Sequence, residues 1–277
     1  MAILDVVSGA TDLDLDASWV GGAKPSAGDT GYLNSGTATI TNGLTGDLLN
    51  RFVIGSGFRG KFGTPSSPVA MRVANGSAPK MEIEGGTFVN VSAHTTGGIT
   101  TLVINAPGIP VYLNGTGTFA TVKAKTGQVE IGAGAVVTTL INMGATITIQ
   151  DNATAITLLV AAAGRAVSKR AVTTWTQGGT AQGLILEDEA ITTLNIDGSS
   201  LFNHQSTGTI GTMNKYGQAT YTPAGALRDT IVTTINNYGT GRLVGQSKQI
   251  RLTYSTLNDF SEGGTSVDDS AGLSGEI

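Results

Sequence analysis

Large apolar residues along this chain fall in short clusters separated by Gly, Asn, Ser and Pro, and one cluster occurs three times. Thr193-Leu194-Asn195-Ile196-Asp197-Gly198 returns as Thr212-Met213-Asn214-Lys215-Tyr216-Gly217 and again as Thr234-Ile235-Asn236-Asn237-Tyr238-Gly239. The same spacing extends towards the N-terminus, so that apolar anchors followed by Gly recur at Leu102, Val122, Leu140, Leu159, Trp175, Leu194, Met213 and Ile235. Consecutive anchors lie between 16 and 22 residues apart and average 19. Self-similarity at such a period marks a repeat architecture. The period is too short for a strand–helix–strand unit, which needs about 30 residues, and no segment joins a helix start signal to a sustained 3.6 period. Two or three short strands with tight turns fill one repeat. The pattern therefore predicts an all-β fold, a single-stranded parallel β-helix (β-solenoid) of about 19 residues per coil with the anchors stacked in its core. The hexapeptide pattern of left-handed solenoids is missing, and parallel crossovers favour the right-handed form.

Read in order, the chain divides into an N-terminal arm and cap (1–36), the β-helix (37–254) and a polar C-terminal tail (255–277). Asp12-Leu13-Asp14-Leu15-Asp16 alternates, which predicts an extended segment with aspartates on one face and leucines on the other. It lacks the central Gly and distal Glu of a calcium loop. Trp19, among turn residues where a solenoid would begin, is expected to cap the core. Short strands bounded by turn residues follow from Tyr32. Gly55-Ser-Gly57-Phe-Arg-Gly60 matches the dinucleotide fingerprint formally, but two prolines and no helical period come after it, so these glycines are assigned to tight turns. Asn195, Asn214 and Asn236 follow their anchors directly and are expected at strand exits, where stacked amides form a turn ladder and Asn tolerates left-handed backbone.

Composition narrows the function classes. Charged residues make up 13% of the 277 residues, so the chain is expected to fold rather than stay disordered. A net charge of −4 offers no basic field for nucleic acid. No cysteine is present, and two histidines are a poor inventory for zinc. The most apolar window, 156–163, is too short to span a bilayer. The first residues show no basic region followed by an apolar run, so synthesis in the cytoplasm without a leader is expected.

Candidate chemistry is sparse. His94 and His204 have no nucleophile-elbow serine to serve. The carboxylates worth testing are Glu82, Glu84, Glu130 and the trio Glu187-Asp188-Glu189. In a glycosidase the trio could supply paired acids. On a strand Glu187 and Glu189 would share a face opposite Asp188, with no aromatic sugar platform nearby. No catalytic residue, metal ligand or cofactor site is expected.

One resemblance bears on role. Trp19-Val-Gly-Gly-Ala-Lys-Pro25 with Asp29 resembles the opening of phage β-helical virion proteins. Gly57-Phe58-Arg-Gly60-Lys-Phe-Gly63 with its following Pro-Val strand, and the late Asn-Asn-Tyr-Gly239, resemble them too. The resemblance implies a non-enzymatic capsid cement, decoration or head-fibre protein. Its partner would be the major capsid protein, its assembly a homotrimer and its location the outer surface of the virion head. Docking is expected through the ends, 1–20 and 261–277. The same turn also resembles the start of bacterial adhesin β-helices, which keeps polysaccharide binding or cleavage as alternatives.

Overall fold

The computed structural model of the chain describes residues 2–46, 49–223, 230–240, 243, 252–260 and 273–274. Two compact units are present, Met1–Leu140 with Asn152–Thr154, and Ile141–Asp151 with Ala155–Ile277. Each is a parallel β-solenoid. Among the described residues the one helical element is a 3-10 turn at Asp16–Ser18, and no helix is long and apolar enough to cross a membrane.

In the first unit Ile3–Asp5, Thr30–Leu33, Arg51–Ile54, Lys80–Ile83, Ile99–Leu113 and Thr118–Ile131 pair successively in parallel. Phe52, Met81, Leu102 and Val122 occupy one register position and are fully buried. A second column joins Thr39–Ile40 and Lys61–Phe62 to Phe88–Ala93, and Val89, Val111 and Val129 continue it in register. The stack thus begins at Ile3, inside the segment assigned to an arm by sequence.

Trp19 lies at the start of this stack. It bridges Val6, is 1% exposed and donates its indole N–H to the Leu13 carbonyl at 2.8 Å. Gly31 makes room for it. A Cβ there would fall 2.9 Å from Phe52 and 3.0 Å from Trp19, so the missing side chain lets two rings meet. The aspartate alternation forms no strand. Residues 13–15 turn into the 3-10 segment, burying Leu13 and leaving Leu15 exposed. The carboxylates serve local backbone and neighbours: Asp12 accepts from the Asp14 N–H at 2.8 Å, and Asp14 pairs with Lys24 at 2.8 Å. Turn bonding has overridden the period-2 pattern.

In the second unit Ile156–Ser168, Val172–Gln177, Ile191–Ile196, Ile210–Lys215, Thr230–Asn237 and Leu252–Asp259 form one column. Arg165–Ser168 within the first of these pairs with Gln182–Ile185, followed by Leu201–His204 and Thr220–Pro223. Leu159, Trp175, Leu194, Met213 and Ile235 share one register position with no exposed surface. Leu140, in the first unit, is equally buried. Val172–Gln177, Ile191–Ile196 and Ile210–Lys215 each bury their first, fourth and sixth positions, as at Ile191, Leu194 and Ile196. The strand turns a corner between the first two, which is why strict alternation is absent. Leu252–Asp259 carries the column beyond residue 254; of the expected tail after 260, only Leu273–Ser274 lies within the described residues.

Strands longer than the sequence suggests come from glycine corners. Ile99–Leu113, Thr118–Ile131 and Ile156–Ser168 each run 13 to 15 residues through Gly108, Gly127 or Gly164, at φ 73°, 95° and 77°. The glycines of the dinucleotide-like stretch lie at a tight turn, as expected, closed by the Phe58 N–H donating to the Gly55 carbonyl at 3.1 Å and formed without positive φ. They permit close approach: a Cβ on Gly60 would lie 2.0 Å from the Ala38 carbonyl oxygen.

Leu194→Ala should cost about 2–5 kcal/mol in urea unfolding, since neighbours above and below prevent collapse of the cavity. Thr192→Ala, on an exposed position of the same strand, should stay within about 0.5 kcal/mol. Equal losses at the two sites would contradict the stacked core.

Candidate functional site

The second unit concentrates its polar and aromatic side chains in columns. Asn195 donates its amide N–H to Thr176 Oγ1 at 3.2 Å. Asn214 then donates to Asn195, Asn236 to Asn214 and Asn258 to Asn236, each at 2.8 Å. These residues lie within strands, Asn195 between the buried Leu194 and Ile196, and among the described residues the one non-glycine with positive φ is Glu187. Their expected position in left-handed turns is therefore corrected: in-strand pairing brings the amides within hydrogen-bond reach, one per coil. Sequence reading missed Asn258, because its surrounding phrase Thr-Leu-Asn-Asp-Phe lacks the closing Gly. The first unit holds a shorter version, in which Asn114 donates to Asn90 at 2.8 Å and Asn90 to the Thr64 carbonyl at 2.6 Å.

Next to the amide ladder stands a ring ladder. Tyr216 and Tyr238 stack at 4.9 Å with planes 8° apart, and Tyr238 and Phe260 at 5.0 Å with planes 9° apart. All three are substantially exposed. Their faces cover one another, so solvent meets mainly edges. The sugar platform of a carbohydrate site needs open faces.

The candidate acids do not converge. Glu187 and Asp188 lie on an exposed turn after Gln182–Ile185, so the expected alternation of strand faces does not apply to the trio. Asp188 accepts from the Thr207 hydroxyl one coil on, and Glu189 pairs with Arg170 at 3.2 Å. In the first unit Glu82 holds Arg51 and Lys80, the latter at 3.0 Å. Burial resists ionisation of Glu82, but hydrogen bonds and charge from Lys80 and Arg51 outweigh it and lower its pKa. Arg51 also donates to the Tyr32 hydroxyl at 2.8 Å. Glu84 is exposed and Glu130 half-buried. His94 sits in a turn, where its Nδ1 accepts from the Thr96 N–H at 3.1 Å. Among the described residues no group of three or more His, Asp or Glu is arranged to hold a metal ion.

Two buried polar clusters escaped the sequence reading. His204 is 1% exposed, between Gly208 and Tyr221. Its Nε2 donates to the Gly208 carbonyl at 3.1 Å, since a carbonyl can only accept, and its Nδ1 accepts from the Tyr221 hydroxyl at 2.7 Å. Burial pushes the imidazole pKa down to about 4 and the phenol pKa up. Lys215, Asn237 and Asp259 occupy one register position on three successive strands, and Asp259, on the last of them, is exposed. Lys215 and Asn237 have no exposed surface. Lys215 Nζ donates to Asn237 Oδ1 at 3.2 Å, and Asn237 Nδ2 donates to Asp259 Oδ1 at 3.1 Å. Burial lowers the amine pKa while Asp259 opposes that shift. Polarity hid this set from the sequence reading, although Lys215 holds the place of Ile196 in the preceding coil.

The N-terminal residues present apolar surface. Ile3, Val7, Leu15 and Val20 are 71%, 38%, 55% and 61% exposed. Val7 and Val20 line a shallow depression of about 390 Å³ with Asp5, Val6, Ser8, Asn34 and Ser35. No protein-family model matches the chain, and neither a curated protein nor a solved structure matches it.

His204 makes stability fall with acid. The unfolded imidazole titrates near 6.5 and the folded one near 4. Between those values the unfolded chain holds more protons, so the contribution is complete above about 6.5 and lost as pH falls towards 4. The total is roughly 3 kcal/mol, at 1.36 kcal/mol per pH unit. Urea unfolding between those pH values should show a steeper fall for the parent chain than for His204→Gln. Identical slopes would exclude His204 as the source.

Proposed function

We propose that this chain is a non-enzymatic structural protein of a phage head, decorating the outer capsid surface and docking by its N-terminal end. The observation that carries the reading is the exposed apolar group Ile3, Val7, Leu15 and Val20 in the first coil of the first unit. Apolar side chains left in water at one end of a rigid scaffold favour burial against a partner. Support also comes from the use made of the reactive-looking side chains. Arg51–Glu82 and Arg170–Glu189 link one coil to another, and the exposed rings cover each other's faces. These side chains serve the scaffold. The major capsid protein as partner and the homotrimer as assembly rest on the resemblance in the sequence.

The test is co-sedimentation of the purified chain with heads of the phage whose genome carries it. Saturable occupancy at a fixed ratio to the capsid protein is expected. The double variant Val7→Asp, Val20→Asp should weaken retention about tenfold or more, equivalent to about 1.4 kcal/mol. Its thermal midpoint should barely move, because both positions are exposed. No retention on heads, together with selective retention on a glycan array, would overturn the reading in favour of polysaccharide binding.

A further inference from the structure

We propose that Lys215 and Asn237 condense spontaneously into an intramolecular isopeptide bond, with Asp259 carrying the proton. The link would join Ile210–Lys215 covalently to Thr230–Asn237 in the next coil. It is independent of the capsid reading.

Position is the first argument. Lys215 and Asn237 are register partners, as are Asn237 and Asp259. The two hydrogen bonds along the column already set the amine against the amide and the amide nitrogen against the carboxylate. Nζ is 3.2 Å from Oδ1, one bond from the carbon it would attack. Fixing reactants in this way replaces a bimolecular encounter by an intramolecular one.

Environment is the second. A primary amine is nucleophilic only when neutral, and burial favours the neutral form. Lys215 has no exposed surface, and Ile196 occupies the same register position one coil earlier. The same burial lowers the amine pKa. An apolar residue would fill this place without desolvating a charge. Lys, Asn and Asp in consecutive coils supply nucleophile, electrophile and proton carrier in the order the condensation needs.

The reaction balances without a co-reactant. The Nζ lone pair forms a bond to Asn237 Cγ while the carbonyl electrons move to Oδ1. One Nζ proton passes to the Asp259 carboxylate and from there to Nδ2. The carbonyl re-forms, the Cγ–Nδ2 bond breaks and ammonia leaves. The product is a secondary amide, with no change of oxidation state.

Intact-mass measurement of the denatured full chain tests the bond. The expected mass is that of the sequence less one ammonia. Trypsin should then fail to cut after Lys215 and release residues 171–228 and 229–242 as one branched species. Lys215→Met and Asn237→Ala should each abolish the branched species. Asp259→Asn keeps a hydrogen-bonding side chain but no proton carrier, and should slow linkage about 100-fold or more, within the usual range for general acid–base groups. An unmodified mass with normal cleavage after Lys215 overturns the proposal. So does loss of ammonia without the branched species, which would mean succinimide formation elsewhere. Full-rate linkage in Asp259→Asn overturns the assignment of Asp259.

Discussion

In-register parallel pairing is the constraint on which each unit depends. When a strand lies beside its copy in the next coil without a shift, every side chain sits next to the residue at the same coil position. Each column must then be tolerable as a stack of neighbours. Leu194 on Met213 satisfies this through apolar contact. Asn195 and Asn214 satisfy it because a primary amide both donates and accepts. Tyr216 and Tyr238 satisfy it by lying face to face. Glycine meets glycine where the corners approach: a Cβ on Gly239 would fall 2.3 Å from the Gly217 carbonyl oxygen.

The same constraint governs polar groups inside the core. A buried donor has no water to turn to, so a partner must come from its own turn or from a neighbouring coil, and Trp175 Nε1 goes without one. Asn142 combines both routes, accepting from the Gly144 and Ala145 N–H groups and donating to the Ala145 carbonyl in its own turn and to the Arg165 carbonyl one coil on. His204 joins its turn at Gly208 to Tyr221 in the following coil. Lys215 takes the second route and reaches the side chain of Asn237. That difference separates a polar residue that closes a turn from one held against an electrophile.

A scaffold organised in this way uses its charged residues as ties between coils and leaves its apolar excess at particular places. Arg51, Lys80 and Glu82 form one such tie, and the N-terminal aliphatic residues are one such excess. Function on this reading resides in surfaces and in permanence. A covalent bridge inside the stack would add permanence by forbidding separation of two coils, while the exposed aliphatic side chains would supply the proposed docking place.

The repeat was legible because its anchors obey a spacing that only a coil of that length can produce. Composition, weak charge and the absence of helix signals point to the same all-β answer. The chain alone therefore determines the fold class, the inward anchors from Leu102 to Ile235 and the amides that follow three of them. It could not tell that Asp12, Asp14 and Asp16 would be drawn into turn bonding, because alternation reports potential faces and local carboxylate–backbone bonds compete with it. It also could not tell that Lys215 and Asn237 point inward, because their polarity conceals the apolar pattern that marks an inner face. Only the tertiary structure decides such cases: register assigns those residues to the column of Ile196, and burial then determines what chemistry they can have.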